Sequence, residues 1–308
     1  MNIIFFGSDD FAEAHLRALI GSKHELLACV TQPDRPKGRG MKVVVSTVKE
    51  CAQKHDIPVW QPASLKEASF IKGLAGFQSD LFVVIAYGKF LPTEALSVPS
   101  QGAINVHASL LPKYRGAAPI NWAIINGEAK TGISIIEINE EMDAGDILVQ
   151  MEIKIEEEET APTLRAKMIK QGPDLLLRTI NDLSSCVART QDRGDVTFAP
   201  KLTKELGRID WAKPSIEIGR LVRGLMPWPG AYTSYNGKLL KILEAQVLDG
   251  DPSQGEAGVV LETGKEGVVV STGDGRLLVR KVHLQDASRM DAHSFVIGHD
   301  LKVGYKLT

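Results

Sequence analysis

Three cysteines in 308 residues, Cys29, Cys51 and Cys186, fall at no paired or metal-like spacing. Their scarcity argues against a disulfide scaffold and suits a reducing compartment, so they read as core or surface thiols. No apolar run approaches the roughly 18 residues that a membrane span needs. The N-terminal MNIIFFGSDDF also lacks the basic and long apolar regions of a secretory leader, so a cytoplasmic protein is expected. Neither sign of charge dominates, since 36 Lys and Arg stand against 38 Asp and Glu for a net charge of −2. A global attraction to nucleic acid is thereby excluded, and any such partner must be held by a local patch. Gly7 stands alone after the first apolar run rather than in a Gly-x-Gly-x-x-Gly fingerprint, which gives a dinucleotide site little support. Internal repeats and low-complexity tracts are also missing.

What is present is an ordinary globular composition, 44% hydrophobic and 24% charged, with enough apolar material for two domains. Asn2 to Phe6 reads as a strand, and Asp9 or Asp10 as the cap of a helix to about Ile20. Leu26 to Thr31, Val48 to His55, and Val59 with Trp60 continue the alternation of strand and helix. Asp80 to Ala86 and Ala103 to Val106 carry the β-branched residues of strands buried on both faces of a parallel sheet, and a helical segment follows at Ala117 to Ile125. This pattern predicts an α/β fold: a Rossmann-like, mostly parallel sheet with flanking helices and ligands at the carboxyl ends of its strands.

Gly132 to Asn139 and Ile147 to Ile155 read as two strands joined by an acidic loop, with a long helix over Ala161 to Leu183. The acid run Glu156 to Glu159 reads as a solvated loop ahead of that helix. Gln191 to Leu206 is polar and irregular, as a connector would be. Beyond it a helix over Ile216 to Arg223 leads into short strands at close spacing with NG, TGK and GDG turns. A small C-terminal β-barrel of OB-like type is expected. The predicted organisation is a catalytic domain over 1–190, a linker over 191–206 and the barrel over 207–308.

Chemistry is sought where polar side chains meet at a strand end. Asn105 offers an amide donor for an oxyanion, and His107, two residues along an extended chain, points to the same side and can move a proton. A carboxylate is wanted beside the imidazole, and Asp143 in the loop EEMDAGD is the candidate, with Asp146 its rival. Residue types alone leave a structural role for all of them open.

The segment NVHASLLPKYRGAAPINWAI, with MDAGDIL further along, resembles the paired signature of the folate-dependent formyltransferases. FFGSDDFA, TQPDRPKGRG, VVIAYGKFLP, RIDW and MPWPGAY follow the pattern of those members that formylate methionyl-tRNA. Ser8 and Asp9 depart from the Thr-Pro that commonly follows the first glycine, a change confined to one turn. The resemblance implies transfer of the formyl group of 10-formyltetrahydrofolate to the α-amino group of initiator methionyl-tRNA, with Asn105, His107 and Asp143 catalytic and no metal. It implies a folate site at Ser109, Leu110, Leu111 and Pro112, opposed by Ala86, Tyr87 and Gly88 within the stretch Ala86 to Pro92.

The basic segment Gln32 to Lys42 sets Arg35, Lys37, Arg39 and Lys42 against Asp34 alone. By the same resemblance it grips the acceptor end of the tRNA. From Gly207 onward, 13 Lys and Arg face 12 Asp and Glu, too small a contrast to prove RNA binding. Arg220, Arg223, Lys238, Lys241, Arg280 and Lys281 could still line one face for a phosphate backbone. Trp211 and Trp228 read as core or domain-interface residues. Formyltransferases of amino-sugar nucleotides share the Asn, His, Asp core, and the PDRPKGRG insertion favours tRNA over them. The chain is expected to act as a monomer.

Overall fold

The apolar runs become strands because burial on both sides suits their Val, Ile and Phe residues: Asn2–Gly7 and Leu81–Ile85 are almost wholly enclosed. The structure is a computed structural model that describes residues 1–37, 42–248 and 255–308. The chain divides into two units. The first comprises Met1–Gly116, Thr131–Ile153 and Arg165–Phe198; the second comprises Ala117–Lys130, Lys154–Leu164 and Ala199–Thr308.

The first unit carries a seven-stranded sheet in the order Ile147–Lys154, Lys130–Glu137, Ala103–His107, Leu81–Ile85, Asn2–Gly7, Glu25–Val30, Val59–Trp60. Asn2–Gly7 pairs in parallel with both neighbours, as do Glu25–Val30 with Val59–Trp60 and Leu81–Ile85 with Ala103–His107. Lys130–Glu137 then runs antiparallel to Ala103–His107. Strand order reverses between Asn2–Gly7 and Leu81–Ile85, where an open sheet of this kind presents a crevice. The expected α/β fold is therefore observed.

Local chemistry explains the boundaries. Asp9 caps the helix Asp10–Ile20 by accepting from the Ala12 amide at 3.0 Å. Ser8 Oγ accepts from the Gln32 amide at 3.2 Å. The departure at these two positions thus keeps the turn by side-chain capping. Arg165 Nη2 reaches Asp9 and Asp10 carboxylate oxygens at 2.5 Å each, and the Arg165 hydrogen bond holds the Asp10 carboxyl below its usual range. The basic segment after Gln32 carries two short antiparallel strands, Arg35–Lys37 against Lys42–Val44, with Lys37 opposite Lys42. Its base is fixed by Asp34, which accepts from Lys49 Nζ at 2.5 Å and Gln61 Nε2 at 2.8 Å. Arg39 lies outside the described residues.

The second unit holds an antiparallel sheet in the order Ala231–Tyr235, Lys238–Leu248, Arg276–Leu284, Gly267–Ser271, Val260–Gly264, with Arg289–Asp291 also on Arg276–Leu284. Asn236 and Gly237, both at positive φ, close its first hairpin as the NG signal predicts. The helix Ala292–His299, capped by Asp291, was not anticipated from the sequence; it buries Phe295 edge-on against Tyr235. Helix Pro119–Ile125 belongs to this unit and ties to helix Ser215–Gly224 through Asn121 Nδ2 and the Gly224 carbonyl at 2.7 Å. Trp211 is buried and donates to Thr233 Oγ1 at 3.0 Å. Trp228 is not a core residue, being 49% exposed in a turn between Pro227 and Pro229. Among the described residues no helix is long and apolar enough to cross a membrane.

One core group titrates in a useful range. His15 is fully enclosed, with Nδ1 donating to the Phe11 carbonyl at 2.7 Å and Nε2 left without a partner. The neighbouring Gly172 has no side chain because a Cβ there would lie 2.6 Å from Nε2. Burial lowers the His15 pKa to about 4. The unfolded chain therefore binds a proton near pH 6.5 that the folded chain refuses until about pH 4. Stability from this group is complete above pH 6.5 and is lost as pH falls toward 4, by roughly 3 kcal/mol. His15→Leu is expected to remove that much of the acid destabilisation; urea unfolding of both proteins across this pH range would show an unchanged slope if the assignment were wrong.

Candidate functional site

The structure brings Asn105, His107 and Asp143 together. Asn105 and His107 stand two residues apart on the strand Ala103–His107, with Asn105 level with Val84 on one side and Ile136 on the other. The loop between Lys130–Glu137 and Ile147–Lys154 folds back so that Asp143 meets both. Asp143 Oδ1 accepts from Asn105 Nδ2 at 3.4 Å, and Oδ2 lies 3.6 Å from His107 Nδ1. Oδ2 also accepts from the Gly116 amide at 2.8 Å. The rival Asp146 has another task, since its carbonyl accepts from the Glu137 amide at 2.9 Å and closes the hairpin.

His107 is 6% exposed, and its Nε2 lies 2.9 Å from the Tyr114 carbonyl. A carbonyl oxygen only accepts, so Nε2 carries a proton, and Nδ1 faces the Asp143 carboxylate. A proton taken up at Nδ1 would be shared with a carboxylate. Asn105 keeps one amide hydrogen beyond its bond to Asp143, available to an oxygen on which negative charge develops.

Asp143 is held in an uncomfortable conformation. Its φ is +52°, in the left-handed region that costs an L residue roughly 1–2 kcal/mol. Gly145, two residues on, sits so close to the hairpin that a Cβ there would fall 1.8 Å from the Glu137 carbonyl oxygen. The sequence reading did not find the group beneath the loop, Gln191, whose Nε2 donates to the carbonyls of Asp143 and Gly145 at 2.8 and 2.7 Å. Nor did it find Tyr114 or Gly116, which act through backbone atoms and leave no side-chain signal.

A sequence model of the formyl transferase family matches residues 1–180, and one of the formyl transferase C-terminal domain matches residues 201–300. The chain belongs to the formyl transferase family. Methionyl-tRNA formyltransferase of Agathobacter rectalis is 42% identical over 306 residues, covering 99% of this chain and 98% of the relative. The enzyme of the same name from Caldanaerobacter subterraneus is 43% identical over 307 residues, covering 99% of each. Among solved structures, the sugar 3N-formyl transferase WlaRD aligns at a TM-score of 0.70 and 18% identity, covering 94% of this chain and 99% of its own. HypX from Aquifex aeolicus, in complex with tetrahydrofolic acid, aligns at 0.63 and 19% identity over 97% of this chain and 47% of its own. At these identities the two structures bear on the fold alone.

In this formyl transferase the residues expected to face folate are of two kinds. Ala86 and Gly88 are exposed at φ +46° and +78°, just after the strand Leu81–Ile85, and nothing lies within 4 Å of the position a Gly88 Cβ would take. Tyr87 between them is buried against Phe6. The other loop is turned inward. Ser109 and Leu111 are buried, and Leu110 and Pro112 half-buried. Ser109 Oγ donates to the Lys113 carbonyl at 2.6 Å. Ser134 Oγ accepts from the Leu111 amide at 3.0 Å, while Gln150 Nε2 donates to the Leu111 carbonyl at 2.8 Å. Several peptide groups of this loop are therefore already engaged.

The basic residues of the second unit are partly engaged as well. Lys241 donates to the Pro229 carbonyl at 2.7 Å, Lys281 pairs with Glu244 at 2.5 Å, and Arg280 lies 3.5 Å from Glu266. Arg223 Nε is buried without a partner, and burial lowers the pKa of its guanidinium. Arg35, Lys37 and Lys42 lie on the hairpin strands of the first unit. Among the described residues no group of three or more His, Cys, Asp or Glu side chains is placed to hold a metal ion.

Asp143 and Asp146 are separated by substitution. Asp143→Asn is expected to lower formyl transfer by at least about 10²-fold, the scale of a lost acid–base group, while Asp146→Asn stays close to wild type. Equal turnover in the two variants would remove Asp143 from the chemistry.

Proposed function

We propose that this formyl transferase moves the formyl group of 10-formyltetrahydrofolate to the α-amino group of initiator methionyl-tRNA, with Asn105, His107 and Asp143 as its catalytic residues. The convergence of those three side chains, from two separate stretches of the chain, is the observation that carries the reading. Relatives above 40% identity over the whole chain carry the name methionyl-tRNA formyltransferase, which supports the choice of acceptor.

The exposed left-handed backbone at Gly88 fits a folate, because a flat ring can approach a peptide chain closely where no Cβ intervenes. It stands beside the strand-order reversal, where a ligand is expected in such a sheet. Leu110 adds half-buried apolar surface, and Ser109, Leu111 and Pro112 hold the loop that presents it. When bound, 10-formyltetrahydrofolate supplies the formyl carbon to be attacked. Asn105 directs its remaining amide hydrogen at the formyl oxygen and stabilises the charge that develops there. His107, fixed by the Tyr114 carbonyl, offers Nδ1 to the proton of the attacking amine, and Asp143 stabilises the imidazolium so formed.

The rest of the assignment follows the same reading. The first unit, which runs through the stretch first read as a linker as far as Phe198, is the catalytic part, and residues 207–308 contact tRNA. Arg35, Lys37, Arg39 and Lys42 contact the acceptor end, where phosphate contacts set position. The enzyme acts in the cytoplasm as a monomer.

Two measurements test this. Incubation with 10-formyltetrahydrofolate and either methionyl-tRNA or an amino-sugar nucleotide is expected to formylate the tRNA alone; formylation of the sugar alone would replace this reading by its rival. Asn105→Ala should lower that transfer about 10²-fold to 10³-fold, as removal of one oxyanion donor does. Methionyl-tRNA affinity is expected to fall linearly in log–log form with salt concentration. A flat dependence would end the phosphate-contact role of the basic residues.

A further inference from the structure

We infer that Gln191 is a positioning residue for Asp143, and that the segment from Arg189 to Thr197 straps the reactive side chains into register. Along this stretch the chain is stitched to the site at three places. Arg189 exchanges backbone hydrogen bonds with Ile147, the first residue after the loop that carries Asp143, at 2.8 and 2.9 Å. Gln191 then donates both amide hydrogens upward, to the carbonyls of Asp143 and Gly145 at 2.8 and 2.7 Å. Thr197 Oγ1 accepts from the Tyr114 amide at 2.9 Å, and the Thr197 carbonyl accepts from the Arg115 amide at 2.9 Å.

Gln191 cannot turn over, because its other end is clamped. Oε1 accepts from Arg115 Nε and Nη2 at 3.0 and 2.7 Å, a two-pronged grip from a group that only donates. The amide oxygen must therefore face Arg115 and the amide nitrogen must face the loop. Gln191 is 6% exposed, so these bonds are sheltered from water. The carbonyl it grasps belongs to Asp143 itself, whose backbone is left-handed and whose neighbour Gly145 is pressed against Glu137. Such a conformation persists where its surroundings over-determine it. Arg115 also precedes Gly116, whose amide holds the Asp143 carboxylate. One side chain thus links the two backbone segments that fix Asp143, one on each side.

The inference rests on the formyl-transfer reading for its kinetic consequence, and its structural consequence stands apart from that. Gln191→Glu keeps size and the grip of Arg115 but places an acceptor against two carbonyls. Gln191→Met removes both sets of bonds without charge. Both variants are expected to lower kcat about 10²-fold, the scale of a reacting group misplaced by about 1 Å, with little change in KM for either substrate. In the Asp143→Asn background, Gln191→Glu should add little further loss, because the two changes disable one function. Hydrogen exchange should quicken in residues 139–147 of both variants and stay unchanged in the strand Leu81–Ile85. Additive losses in the double variant, or unchanged exchange over 139–147, would overturn the inference. Failure of the wild type to formylate methionyl-tRNA would instead count against the acceptor assignment and leave the exchange result to judge Gln191.

Discussion

A single carboxylate, that of Asp143, holds the reactive geometry together. It is the only group of the three that touches both others, and it receives the Gly116 amide besides. Asn105 and His107 are placed by the strand on which they lie, with neighbouring strands on both sides and little freedom to move. Asp143 comes from a loop, where the backbone has no sheet to define it. Its position has to be imposed by specific bonds, and the structure supplies them to the main chain through Gln191 and to the side chain through Gly116. A left-handed residue in a loop would otherwise relax toward the ordinary regions and carry its carboxylate away.

The sheet explains why the two halves can meet at all. Parallel strands deliver Leu81–Ile85 and Ala103–His107 side by side, so that Ala86 to Gly88 and the Asn105 and His107 pair are neighbours although some 20 residues separate them in sequence. The antiparallel turn of Lys130–Glu137 then places a hairpin loop beside Ala103–His107. With parallel strands throughout, a long crossover would have been needed before the next strand. The hairpin keeps the acidic loop short and close.

Much of this was legible in the residues. The apolar runs marked the strands of both sheets, Asp9 marked the first helix, and the Asn236–Gly237 turn marked a hairpin. The pairing of Asn105 with His107 and the choice of Asp143 were also readable, although the choice over Asp146 needed the resemblance. What stayed hidden has a common cause. Tyr114 and Gly116 work through a carbonyl and an amide that every residue possesses, so no side-chain type announces them. Gln191 lies in a polar stretch that composition assigns to solvent, and only its burial reveals otherwise. The bonds within the loop from Ser109 to Pro112 were hidden too, since no residue type shows that Ser109 and Leu111 are committed to Lys113, Ser134 and Gln150.

Which edge of the His107 ring is left without a protein donor or acceptor bond follows from the bonds already made. His107 Nε2 is committed to a carbonyl in a nearly closed pocket, so that edge of the ring has no route to a substrate. Only Nδ1 remains, and it faces a carboxylate rather than a second donor. Asn105, whose amide binds the same carboxylate, is turned by that bond so that its second hydrogen points away from Asp143, as the proposed oxyanion role needs. The donor of a hydrogen bond and the acceptor of a proton are thus oriented by one anion. If Asp143 moved, Asn105 would lose that bond and His107 its carboxylate neighbour, so in the proposed chemistry the support beneath Asp143 counts beside the groups proposed to touch the substrate.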